Sequence, residues 1–263
     1  MQSKRSLRKN RRGVSPAVST VIITAVSVVL VLVAGNYALQ VLASQRAIAE
    51  FETAQNSMLA FDDAVRDIAW DQSGSRSIRF TNSYGNMRLI ANSKTFTITG
   101  LNGIYHDTFT TAAVKYQMPT GWGMPGIPAS YIVGDNSTVI SSLTDSMGQA
   151  QMKHEAGFNS ITLNYRVRVS YEGSLEIDAI TYHYVDIFVI RLNCNSSTIG
   201  AGDFNLVCKN VGLTTKRSDP YPVGTSPSLS VSDGGEPFEV DLSYLKSGNV
   251  IFTLVISDVR VSY

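Results

Sequence analysis

Thiols, imidazoles and paired carboxylates are the side chains that most often carry chemistry, and this chain of 263 residues has two cysteines and three histidines. Cys194 and Cys208 stand 14 residues apart around the turn-like run Asn-Ser-Ser-Thr-Ile-Gly-Ala-Gly, between two strand-like segments. That arrangement could bring them together across a hairpin. A catalytic cysteine would be unpaired beside a histidine, and a zinc site needs more ligands, so a Cys194–Cys208 disulfide is the expected outcome in an exported protein. A loop of that size stabilises by about 3 kcal/mol in the chain-entropy picture. His106, His154 and His183 are scattered, with no pair at metal-ligand spacing. His183 alternates with Tyr182 and Tyr184 in a strand-like run, and Asp62-Asp63 reads as a solvated helix face. Neither a Gly-rich phosphate loop nor a Gly-x-Ser-x-Gly elbow occurs. The chain is therefore expected to have no catalytic residue, no metal and no cofactor, and not to be an enzyme. Asn136-Ser137-Thr138 and Asn195-Ser196-Ser197 match the N-glycosylation acceptor pattern, which makes Asn136 and Asn195 candidate modification sites.

The elements around these residues are set by charge and hydropathy. The net charge of +1 conceals an asymmetry. Lys4, Arg5, Arg8, Lys9, Arg11 and Arg12 precede Gly13 without a single acid, leaving 16 basic and 21 acidic residues beyond it, a net of −5. A mildly acidic body does not attract nucleic acid. From Val14 to Gln45 there are 32 residues without a charge, dominated from Val18 to Leu42 by Val, Ile, Leu and Ala. About 20 apolar residues cross a bilayer as a helix. The cations in front place the N-terminus in the cytoplasm and send residues 46–263 outside. Ser15-Pro16 suits a helix start, with serine as the cap and proline at the first position, where its missing N–H costs nothing.

Three readings of this segment compete. One is a plain signal anchor. Another is a secretory signal peptide cut after Val41-Leu42-Ala43, although its apolar core should span only about 7–15 residues. The third is a resemblance. Arg11-Arg12-Gly13-Val14-Ser15-Pro16-Ala17-Val18-Ser19-Thr20-Val21-Ile22 resembles the class III signal of archaeal type IV pilins, a short basic leader before a Val-Ser-Pro opening and an uninterrupted apolar helix. The resemblance covers roughly residues 8–42. It implies processing by a prepilin peptidase between Gly13 and Val14, with the apolar helix kept on the product. Bacterial pilins carry Glu at the fifth mature position, where this chain has Val18, and archaeal pilins commonly lack it. The implied function is a structural subunit, major or minor, of a surface filament. The implied partners are copies of itself or other pilins through the helix, an assembly platform with its ATPase, and membrane lipid before assembly. The small residues Ala25, Ser27, Ala34 and Gly35 are the expected helix-packing positions. The rival is a permanently anchored β-domain that binds a surface-layer or other partner without polymerising.

Beyond Arg46 the pattern turns amphipathic. Phe51, Ala54, Met58, Phe61, Val65 and Ile68 recur at spacings of 3 and 4, an apolar seam at helical period that is expected to pack on the chain's own β-domain. The helix should run from about Pro16 to about Asp71, roughly 80 Å at 1.5 Å per residue, with Ser73-Gly74 as its stop. From residue 75 the period becomes two. Ile78–Thr81, Met87–Ile90, Thr95–Thr99, Ile161–Val169, Ile177–Leu192, Phe204–Cys208, Val250–Ile256 and Val259–Tyr263 read as strands, and residues 118–129 as an irregular loop. The expected fold is α+β, one long helix followed by an antiparallel β-sandwich-like head. It divides into a basic leader (1–13), an apolar helix (14–45), an amphipathic extension (46–74) and an extracytoplasmic head (75–263). N-terminal sequencing of the membrane-fraction protein should begin at Val14. A start at Met1 or at Ser44 would refute the processing site.

Overall fold

The computed structural model describes residues 16–137, 139–140, 146–224 and 227–263. Gly13, Val14 and Thr138 lie outside them. The chain divides into two compact units, one ending at Arg46 and one running from Ala47 to Tyr263. One α-helix, α1 (Pro16–Ala69, 54 residues), contributes to both. Pro16 is its first helical residue, the position where proline's fixed φ helps and its missing donor is harmless.

Among the described residues fifteen strands follow: β1 (Ser75–Asn82), β2 (Asn86–Gly100), β3 (Tyr105–Pro119), β4 (Ser130–Val133), β5 (Val139–Ile140), β6 (Gly148–Glu155), β7 (Phe158–Tyr165), β8 (Val167–Ile177), β9 (Ile180–Asn193), β10 (Ser197–Ile199), β11 (Gly202–Arg217), β12 (Tyr221–Pro222), β13 (Ser228–Ser232), β14 (Phe238–Asp241) and β15 (Asn249–Ser262). One sheet has the order β1-β11-β15-β9-β8-β5, with β12 beside β15; the other runs β14-β13-β2-β3-β7-β6-β4, with β10 beside β2. The fold is thus one long helix and a mostly antiparallel β-rich head. Two parallel pairings, β15 with β9 and β5 with β8, depart from the purely antiparallel expectation.

Two apolar cores fill the head, and four long strands serve both, β2 giving Met87 and Leu89 to one and Phe96 and Ile98 to the other. In β9, Val185, Ile187 and Val189 face a core between the sheets that also takes Phe96, Ile98, Leu229 and Phe252. The next residues, Ile190 and Leu192, belong to the other core, around α1. Side chains alternate across a strand, so β9 offers opposite faces to the two cores, and the change falls at Val189-Ile190. β15 does the same between Ile256 and Val259, and β3 between Phe109 and Ala112. Thr111 Oγ1 accepts the Leu192 N–H at 3.0 Å, tying β3 of one sheet to β9 of the other at the crossing.

Several strands differ from their sequence outlines. Ile161–Val169 reads as one strand, yet β7 ends at Tyr165 and β8 begins at Val167 in the other sheet. Arg166 is the switch. Its buried guanidinium donates to Asp135 Oδ1 at 2.6 Å and to the carbonyls of Ser137 and Ser146 at 3.1 and 3.0 Å. The expected strands Val250–Ile256 and Val259–Tyr263 merge into the single strand β15 (Asn249–Ser262), and Ile177 closes the β8–β9 hairpin instead of opening β9.

The structure holds no Cys194–Cys208 disulfide: both thiols are free in it. Sheet order supplies the reason. Cys208 on β11 pairs with Val261 of β15, and Asn193 at the end of β9 pairs with Arg260 of β15. β15 therefore runs between the two cysteines. Two strand intervals are about 9.6 Å, beyond the roughly 7 Å between Cα atoms that a disulfide can bridge. Maleimide labelling of denatured, unreduced protein should add two labels per chain. A disulfide-linked peptide joining Cys194 to Cys208 would overturn this assignment.

Candidate membrane and assembly helix

In the unit that ends at Arg46, the large apolar side chains of α1 are exposed, from Val21 and Ile22 to Val33, Tyr37 and Leu39; Val31 retains 71% of its accessible surface. An exposed apolar surface of this size marks a membrane or protein interaction site. The 19 residues from Ala17 to Gly35 span about 28 Å as a helix, close to the roughly 30 Å hydrocarbon thickness of a bilayer. The helix is long and apolar enough to cross a membrane. The Thr24 hydroxyl is compatible with lipid, because its Oγ1 donates to the Thr20 carbonyl one turn back at 2.8 Å.

The four small residues do not form one stripe. At about 100° per residue, Ser27 and Ala34 share a face, Ala25 lies on the opposite side, and Gly35 falls a quarter turn from Ala34. A Cβ added at Gly35 would meet nothing within 4 Å, so the chain itself does not require glycine there.

In the unit from Ala47 onward the same helix is consumed by the head. Phe51, Ala54, Met58, Phe61, Val65 and Ile68 are all 4% exposed or less, as the seam predicts. They pack on Met87, Tyr116, Leu163, Leu206 and Val261 from both sheets. The Phe51 and Tyr116 rings meet at 6.0 Å.

Polar contacts fix this segment at three points that sequence reasoning missed. Glu50 accepts the N–H groups of Ser83, Tyr84 and Gly85 at 2.9 to 3.1 Å and the Tyr116 hydroxyl at 2.8 Å, clasping the β1–β2 turn. Gly85 has to be glycine here, since a Cβ would overlap the Tyr116 phenol. Burial first, then the Glu50 carboxylate, push the Tyr116 phenol far above its ordinary range. Asp62, expected on a solvated face, is 1% exposed. It accepts the Tyr165 hydroxyl at 2.8 Å and the Arg66 Nε–H at 3.0 Å, and Gly148 leaves it room. Desolvation raises its carboxyl pKa against the opposing pull of Tyr165 and Arg66. At the helix end, Asn210 Nδ2 donates to the carbonyls of Ile68 and Ala69 at 3.0 and 2.8 Å, and the Ser257 hydroxyl donates to Ala69. These carbonyls have no intrahelical partner, and a register shift between Asn210 and Gly212 of β11 marks the site that supplies one. The helix ends at Ala69, a few residues before Ser73-Gly74.

Asn136 and Asn195 are both exposed. Asn136 accepts the Tyr131 hydroxyl at 2.9 Å, while Asn195 lies on the connection between β9 and β10. Among the described residues no group of histidine, cysteine and carboxylate side chains could hold a metal ion. No protein-family model, curated protein or solved structure matches this chain.

Replacing Glu50 with Ala strands three backbone donors and a phenol, and should lower stability by about 2 kcal/mol. Chemical denaturation of the detergent-solubilised protein measures it, with the exposed Glu52→Ala as reference. Equal midpoints for the two variants would refute the clasp.

Proposed function

We propose that this chain is a structural subunit, of the archaeal type IV pilin kind, that assembles into a surface filament through the first half of α1. The observation that carries this reading is that α1 divides its work. From Val18 to Leu42 the large apolar side chains are exposed, and residues from Ala47 fill the core of the head. In a membrane the first half is covered by lipid; in a filament it would be covered by the same segment of neighbouring copies. Assembly then trades lipid contacts for helix contacts at little hydrophobic cost, so close packing sets the preference.

The basic leader and the Gly13-Val14 junction support processing by a prepilin peptidase, followed by extraction through an assembly platform and its ATPase. The subunit would wait in the cell membrane with its N-terminus in the cytoplasm and its head outside. The large head leans towards a minor or specialised subunit, and Asn195 and Asn136 would carry glycans on the outer surface. Other pilins, or further copies of the chain, are the expected partners.

One observation favours a second reading, a permanently anchored head that binds a surface partner. The seam from Phe51 to Ile68 is spent entirely on the chain's own head and leaves no apolar stripe for a neighbour. Size at the small positions of the first half discriminates between the two. Ala25→Leu and Gly35→Leu keep the helix apolar, and Gly35 has no intramolecular neighbour to offend. In a packed filament core each should cost roughly 1–3 kcal/mol per subunit interface. Filaments seen by electron microscopy should fall or vanish while membrane-bound protein stays constant on immunoblots. Undiminished filaments in both variants would overturn the assembly role of these positions in favour of the anchored head.

A further inference from the structure

A groove of about 350 Å³ opens on the head between β8 of one sheet and β14 of the other, lined by Val169, Tyr171, Val240, Asp241 and Tyr244. Its walls are two aromatic rings in edge-to-face contact, Tyr171 and Tyr244, with centroids 5.1 Å apart at 61°. Both stay open to solvent, at 40% and 47% exposure. The two valines provide apolar surface, and Asp241 supplies a carboxylate.

Each wall is held from behind. The Tyr171 hydroxyl lies 3.2 Å from His183 Nδ1, and His183 Nε2 lies 2.9 Å from the Ser247 carbonyl, so a buried histidine fixes the first ring. Tyr171 immediately precedes the β8 bulge between Tyr171 and Gly173, a device that re-aims an edge side chain. The second ring rides on a loop pinned at both sides. Leu242 and Leu245 are buried in the core between the sheets, and their N–H groups donate to Pro227 and Leu242 at 3.3 and 2.9 Å. Asp241 is set by Ser243, whose N–H and hydroxyl each donate to it at 2.8 Å. Those contacts hold its carboxyl below the usual range, so it is anionic at neutral pH.

Two phenol rings meeting at a corner, an apolar floor and a fixed carboxylate complement a cation that carries methyl or methylene groups. A phosphate or carboxylate ligand would face Asp241 unfavourably. Lys246, in the same loop, does not line the groove. We propose that the groove formed by Tyr171, Tyr244 and Asp241 binds an organic cation of the alkylammonium class. The source could be a small quaternary amine or a lysine side chain on a partner protein, and the chemistry is common to both.

The test uses the full chain in nanodiscs of phosphatidylglycerol, which bring no choline headgroup. Saturation-transfer NMR would follow choline, its neutral isostere 3,3-dimethylbutan-1-ol, and Nα-acetyl-lysine methylamide. Choline should bind about tenfold more tightly than the isostere, a difference of about 1.4 kcal/mol. Asp241→Asn should lose most of that preference, and Tyr244→Ala, a change at an exposed side chain, should abolish saturable binding. Tighter binding of the lysine amide than of choline would assign the cation to a protein partner, and the reverse to a free quaternary amine. Equal binding of choline and its isostere, full binding in both variants, or displacement of choline by a neutral hexose at equal concentration would overturn the proposal. The last result would make the groove a carbohydrate site.

Discussion

A single helix whose two halves need different cover is the constraint on which the molecule depends. The change of surroundings is abrupt in the sequence. Arg46 is the first charge after 32 uncharged residues, and Ala47 is the first fully buried side chain. Before that point the large apolar side chains from Val18 to Leu42 are exposed. After it, the contacts come from two sheets that close around the helix. Both halves share the same backbone hydrogen bonding, which is satisfied within the helix and indifferent to solvent. The side chains alone decide where each half can live.

The apolar seam already resists a one-turn slip of the helix within the head, since Ala54 would fall at the place of Phe51 and Met58 at the place of Ala54. The polar contacts forbid it. Glu50 has four donors converging on it, Asp62 has one phenol and one guanidinium, and the carbonyls of Ile68 and Ala69 have the Asn210 amide. A one-turn slip would leave each of these groups buried and unpaired, at a cost of about 1–3 kcal/mol apiece. Burial of Asp62 is itself unfavourable to its charged form, so its use here lies in fixing register more than in adding stability.

The long strands answer the same requirement. A helix lying between two sheets keeps them apart, and beyond its end the sheets must pack directly on each other. β2, β3, β9 and β15 reach from one environment to the other, and each turns its opposite face to the core as it passes. Consecutive buried residues such as Val189-Ile190 record that passage, where a simple half-buried strand would show strict alternation.

Much of the architecture was determined locally and was therefore legible in the chain. Thirty-two uncharged residues after six cations, a seam at spacings of 3 and 4, and period-two runs beyond residue 75 fix the long helix, its division of labour and the β-rich head, because each depends only on neighbours along the sequence. Strand ends were less legible. The β8–β9 hairpin turns on Asp178-Ala179, both at positive φ, without the Asn-Gly or Asp-Gly signature that usually marks such a turn. Tertiary structure alone decided the rest. Whether Asp62 meets water or Tyr165 depends on a strand 103 residues away, and the carbonyl cap comes from Asn210, 141 residues beyond Ala69. Cys194 and Cys208 are near in sequence, but β15, which comes last in the chain, lies between them and keeps the thiols apart. The groove of Tyr171, Tyr244 and Asp241 likewise exists only where the edges of two sheets meet. Spacing along a chain reports which faces a helix or strand presents; sheet order, set by pairings between distant segments, decides what those faces meet.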